Sequence, residues 1–259
     1  MVYTCYEMIR DCRQDRPEGW SYFVQQYVPV VRALLAHYFP DHDAEARLER
    51  VLLKLRDPQS SVFQSLEPAP ERAFVAGLRQ HTLAAAEGDR AGGAPPGIEI
   101  ETLSAALEPL SLTEKLAVWF ETMLYDDRAT GRMQRMSPET AGKIRARAAD
   151  LIRGSLDNWS RTLLADNGAQ LGAAAVAQST QDCLPAKAFF DVIDGRATWR
   201  GREEMERHVK SCWHCVDHYC RLLEVVDLLR AAKPLAEPES ARYRQLLGIE
   251  TAKRSFWKR

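Results

Sequence analysis

The chain has 259 residues, 46% of them hydrophobic and 27% charged, the proportions of a soluble globular protein long enough for two or three small domains. Its 35 Lys and Arg against 36 Asp and Glu leave a formal net charge of −1, which excludes a globally basic nucleic-acid binder and leaves room only for local basic patches. No run of about 20 apolar residues occurs, so no membrane span is expected. The polar, acidic N-terminus lacks the apolar core of a secretory leader, which points to the cytoplasm.

In chain order, the first expected element is a helix carrying Trp20, Phe23, Val24, Tyr27, Val28, Val31, Leu34 and Leu35 at three-to-four-residue spacing. Asp43 to Leu55 is a second amphipathic run, stopped by Asp57-Pro58, and a third follows Pro70 from Ala73 to Ala86. Strand signals are scarce, so the expected class is all-α. Residues 88–100, rich in Gly and Pro, read as a linker. Residues 101–165 form another helical block, with Ser137-Pro138-Glu139 as a helix start and a helix running on to about Trp159. Residues 166–180 are rich in Ala and Gly and read as a second linker, with a weak helix as the alternative. Residues 181–232 are helical again, divided at Asp194-Gly195 and ended by Pro234. In the basic tail 233–259, Arg242, Arg244, Lys253, Arg254, Lys258 and Arg259 stand against Glu250 from Ala241 onward. That tail reads first as a disordered, solubilising end, and otherwise as a surface for DNA, RNA or an acidic partner.

Chemistry concentrates in Cys183, His208, Cys212 and Cys215, spaced Cys-x24-His-x3-Cys-x2-Cys. Three thiols and an imidazole are the donor set of a tetrahedral Zn2+ site, and clustered cysteines in a reducing compartment suit metal better than disulfides. On one helix, positions i, i+4 and i+7 fall at about 0°, 40° and 340°, so His208, Cys212 and Cys215 would share a face. Cys183 would reach that face from a preceding helix. His214 and Cys220, at about 240° and 120° on this wheel, point away, and His218, near 280°, is a weaker substitute ligand if the helix kinks. Cys5 and Cys12 are expected to pack in the first domain. Four protein ligands leave no place for a catalytic water, so the zinc would be structural, with thiol oxidation or metal exchange as an available signal. No nucleophile–base set or Gly-rich phosphate loop occurs, so the chain does not read as an enzyme.

Residues 181 to about 232 resemble the zinc-binding anti-sigma factor family through His208-x3-Cys212-x2-Cys215 and the upstream Cys183. Residues 1–165 resemble extracytoplasmic-function sigma factors. Asp43-Ala44-Glu45 and the run to Lys54-Leu55 are similar to the polymerase-binding helix of region 2. Leu107-Glu108-Pro109-Leu110 and Thr113-Glu114-Lys115 are similar to the start of region 4, and residues 137–148 to its recognition helix. The resemblance implies a region 2-like domain at 1–87, a region 4-like helix-turn-helix at 101–165 and a zinc-pinned anti-sigma-like bundle at 181–232. It assigns polymerase contact to Asp43, Glu45 and Lys54, and DNA contact to Ser137, Thr140, Lys143, Arg145 and Arg147. From Arg128 to Arg161 eight bases stand against three acids, which suits phosphates, whereas residues 1–87 carry ten bases and twelve acids.

The chain departs from the family in three places. Phe74-Val75 and Gln80-His81 replace the Trp-Leu and Arg-Asn pairs of the promoter-opening helix, and Ala46 replaces an acid. Asp126 to Arg132 stands where region 4 has a short apolar turn with Gly. The implied function is a transcription regulator whose fused zinc domain controls its availability to RNA polymerase core and promoter DNA. The alternative is a degenerate scaffold that sequesters a separate sigma factor. Fusion would make the sigma-like to anti-sigma-like contact intramolecular, at high effective concentration.

Overall fold

The computed structural model describes residues 3–40, 43–57, 63, 70–87, 105–154, 172 and 175–249. The protein is all-α, with no strand among the described residues. None of the described helices is long and apolar enough to cross a membrane. Two compact units form, one from Met1–Ala91 with Leu228–Arg259 and the other from Gly92–Asp227. The expected linker 88–100 lies outside the described residues, as do most of 166–180 and residues 155–159 at the expected end of the helix after Ser137.

The first unit begins with α1 (Cys5–Arg13), started by a capping box in which Thr4 and Glu7 satisfy each other's backbone amides. Helix α2 (Pro17–Tyr38) carries the expected apolar stripe, entirely buried, with α3 (Ala44–Arg56) and α4 (Glu71–Glu87) packed on it. An aromatic cluster fills the core. The Tyr27 and Phe74 rings meet edge-on at 4.9 Å, and Phe63 meets Trp20 at 4.8 Å and Phe23 at 5.4 Å. Phe74 and Val75 are thus core residues at 1% and 0% exposure, while Gln80 faces solvent. Cys12 is buried with its thiol 3.6 Å from Met8 Sδ, a packing role as expected.

Part of the basic tail is ordered and belongs to this unit. Residues Glu237–Leu246 form α11, which packs on α2. The Leu235 amide donates to the Gln25 carbonyl at 2.9 Å, and Tyr243, Leu247 and Ile249 are buried. Tyr243, at 0% exposure, receives a hydrogen bond from Arg32 (2.7 Å) and donates to Glu45 (2.5 Å). Arg242 pairs with Glu49 (2.5 Å) and Glu45 (3.1 Å), and Arg32 pairs with Glu239. Within the described part of the tail, Arg242 and Arg244 both pair with acids of the same chain, Arg244 with Glu237. Residues 250–259 lie outside the described residues.

The second unit joins residues expected as two separate domains. Helix α5 (Leu112–Thr122) starts with a Ser111/Glu114 capping box. Helix α6 (Asp127–Gln134) is capped by Asp126, so the stretch expected to hold a turn is helical. The turn comes later: Arg135 takes a left-handed conformation (φ 58°), Met136 donates its amide to the Gly131 carbonyl (2.9 Å), and α7 (Pro138–Arg153) starts at the Ser137 cap. A Cβ on Gly131 would stand 2.8 Å from the Met136 carbonyl oxygen, so only glycine lets this turn close. The rest of the unit is α8 (Ala186–Ile193), α9 (Trp199–Ser211) and α10 (Trp213–Ala231), the last crossing the boundary between the units. Gly195, at φ +72°, sits at the expected break between α8 and α9.

Candidate metal centre

The four expected ligands converge. One donor atom from each of Cys183, His208, Cys212 and Cys215 lies within 4.8 Å of the others, an arrangement that could hold a metal ion. The route to that geometry corrects the single-helix expectation. His208 is in the last turn of α9, and Cys212 adopts an extended conformation (φ −115°, ψ 113°) that ends this helix. Its amide still donates to the His208 carbonyl at 3.0 Å, and Cys215 lies in the first turn of α10. The cluster therefore clamps a helix break, with one ligand on each side and one at the break. Cys183 lies in the bend before α8, not on a helix, its amide donating to the Thr180 carbonyl.

Local chemistry fits a bound cation. Cys183 Sγ and Cys212 Sγ are 3.9 Å apart, close to the ~3.8 Å edge of a tetrahedron with ~2.3 Å metal–sulfur bonds. His208 Nε2 is buried with no hydrogen-bond partner among the described residues, an uncompensated polar atom that a metal bond would satisfy. The Thr180 amide donates to Cys183 Sγ (3.3 Å) and is the main reason this thiol titrates below its ordinary value. Burial pushes Cys215 up to about 12, opposed by the Leu184 backbone and reinforced by the neighbouring thiols Cys212 and Cys183. A cation among these sulfurs reverses that repulsion and favours thiolates. A tetrahedral metal held by all four protein donors would have no open coordination position for substrate. His214 and His218 lie outside the set, although His214 Nδ1 is 4.0 Å from Cys215 Sγ; Cys220 is fully buried apart from it.

The clamped segment also holds α5 and α6, through residues that spacing did not single out. Trp213, next to Cys212, meets Trp119 edge-on at 5.6 Å. Trp119 Nε1 donates to Asp217 (3.1 Å), and Lys115 Nζ donates to the Lys210 carbonyl (2.6 Å). Further along α10, Glu224 accepts from the Tyr125 hydroxyl (2.6 Å) and Asp227 pairs with Arg132 (3.1 Å). The acids Asp217, Glu224 and Asp227 recur at helical spacing along α10, a signal visible in the sequence only once a partner surface is known.

The expected DNA contacts sit at α7. Ser137 caps the helix, and Ser137, Thr140, Lys143 and Arg147 are exposed. Arg145 differs: its guanidinium makes two hydrogen bonds to Asp127 (2.6 and 2.7 Å) and lies 3.8 Å from Glu121, binding α7 to α6 and α5. Arg147 pairs with Glu114 (3.1 Å). Among the expected polymerase contacts, Asp43 occupies the N-cap position of α3, Lys54 donates to the Ala85 carbonyl (2.8 Å), and Glu45 is held by Arg242 and Tyr243 of α11.

Fold and site together define an all-α protein with a Cys3His cluster able to hold a metal ion. No family model, curated protein or solved structure matches the chain significantly.

Proposed function

We propose that the chain is a transcription regulator in which two sigma-factor-like helical blocks are held by a C-terminal, zinc-pinned anti-sigma-like segment. The carrying observation is the pairing of the Cys3His clamp with the contacts around it. The segment it fixes packs Trp213, Asp217 and the Lys210 carbonyl against α5. Past Pro234, the same chain end docks α11 on α2 and engages Glu45, the carboxylate assigned by resemblance to polymerase contact. Zinc suits a three-thiol, one-imidazole donor set and supplies rigidity, not reactivity. His208, Cys212, Cys215 and Cys183 would hold it, and losing it to oxidation or chelation would free the α9–α10 break. The chain belongs in the cytoplasm on this reading, where its thiols stay reduced.

A second reading keeps the clamp and drops promoter activity, making the chain a scaffold that sequesters a separate sigma factor. The observation favouring it is the pairing of Arg145 with Asp127 and of Arg147 with Glu114, which leaves few unpaired bases on α7. Purification followed by metal analysis and identification of co-purifying proteins tests both. The first reading expects one equivalent of zinc and polymerase core captured weakly by the zinc-loaded protein and more tightly once the metal is removed. A separate sigma factor without polymerase favours the second, and zinc-free folded protein overturns both.

A further inference from the structure

The second unit contains a cleft of about 280 Å³ that no step above uses, at the small end for small-molecule sites. Five segments meet there: the start of α5, the α6–α7 turn, the end of α8, the middle of α9 and the middle of α10. Its floor is apolar and buried, with Leu116, Met133, Ile193, Met205 and Leu223 at 8% exposure or less. Three of the six methionines in the chain, Met133, Met136 and Met205, line it. Their unbranched, polarizable side chains adapt to flat or irregular apolar groups.

The polar groups of this cleft are mostly without partners. Gln134 Nε2 is buried with no hydrogen-bond partner among the described residues. The Tyr219 hydroxyl makes no hydrogen bond among the described residues, and burial keeps it protonated, with its pKa raised to about 12. Arg202 and Glu206 stand exposed at the rim with no ion pair among the described residues. Arg135 holds the left-handed turn and spends one Nη2 contact on the Ile193 carbonyl (2.8 Å). A guanidinium has five donors, so most of Arg135 remains available. Two guanidinium groups against one carboxylate give the rim a net positive charge. The Gln134 amide N–H and the Tyr219 hydroxyl add donors that have no acceptor among the described residues.

We infer that this cleft binds a small monocarboxylate with an aromatic or short aliphatic body, the carboxylate held by Arg202 and Tyr219 and the body seated on the methionines. The inference is independent of the regulatory reading, since it uses no metal ligand and no polymerase or DNA residue. Its walls come both from α5–α7 and from α8–α10, so such a ligand favours the packed form of the unit.

Titration of the full-length, metal-loaded protein with phenylacetate, hydrocinnamate and octanoate, followed by NMR and calorimetry, tests it. Phenylacetamide serves as the neutral isostere. Saturable binding of a carboxylate is expected, about tenfold or more tighter than the amide, because a hydrogen bond to a charged group is lost with the charge. Arg202→Ala, at an exposed position, removes that preference, and Tyr219→Phe weakens binding while leaving the far-UV spectrum and the thermal midpoint unchanged. No saturable binding at millimolar concentration, equal binding of acid and amide, or unchanged affinity in Arg202→Ala overturns the inference.

Discussion

Replacing Tyr243 tests how α11 is held. A ten-residue helix is unstable alone, so its order depends on docking. The Tyr243 ring is fully buried, and truncation to Ala removes a large aromatic side chain, a loss of about 3–5 kcal/mol. Tyr243→Phe keeps the ring and deletes a hydroxyl that donates to Glu45 and accepts from Arg32. Hydrogen bonds to charged groups are worth about 1.5–3 kcal/mol, so a loss of about 2 kcal/mol follows, or a roughly thirtyfold larger opening equilibrium constant. The Arg242 pairs with Glu45 and Glu49 are about half exposed, and exposed pairs contribute little. Native-state hydrogen exchange of the α11 amides reads all three variants. Protection disappears in Tyr243→Ala, falls about thirtyfold in Tyr243→Phe and changes least in Arg242→Ala. Arg242→Ala or 1 M salt undocking α11 as fully as Tyr243→Ala would refute the apolar anchor.

Asp217→Ala leaves the Trp119 indole N–H buried without an acceptor, and we expect a loss of about 1–3 kcal/mol in urea unfolding, with coupling to Trp119→Phe in a double-mutant cycle. Burial raises the Glu114 carboxyl, but the Ser111 hydroxyl and amide, with Arg147, outweigh it and hold the group below its ordinary 4.5. Because the folded value is the lower one, this stabilisation is complete above pH 4.5 and is lost as pH falls through the folded value. Glu114→Ala therefore costs about 1 kcal/mol at neutral pH, a gap from the parent that closes in acid, as a pH series of thermal melts reads. Metal binding must deprotonate Cys215, whose thiol is pushed up to about 12, so zinc uptake releases protons and weakens as pH falls. Calorimetry in buffers of different ionisation enthalpy measures that release, and chelation alters the near-UV signal of the Trp119–Trp213 pair.

The helices were legible because their apolar stripes repeat at 3.6 residues, and the ligands because thiol and imidazole at that spacing have few other uses. The break at Cys212 was not, since one extended residue leaves the i, i+4, i+7 pattern intact while turning the chain. The docked α11 was hidden by its charges: Arg242 and Arg244 dominate the composition, whereas the buried Tyr243 and Leu247 carry the packing. Arg145 reads as a DNA contact in any basic helix, and only the fold brings Asp127 beneath it. Grouping 105–154 with 175–227 depends on long-range pairs such as Trp119–Asp217, which no local pattern encodes.

On the proposed reading, the metal-clamped C-terminal segment limits the access of polymerase to the blocks proposed to be sigma-factor-like. Affinity of the full-length chain for RNA polymerase core, compared between the zinc-loaded protein and Cys183→Ser, tests it most directly. We predict weak capture when the clamp is intact and at least tenfold tighter capture when it is lost. Equal affinity in the two states, or no polymerase binding in either, would contradict the claim.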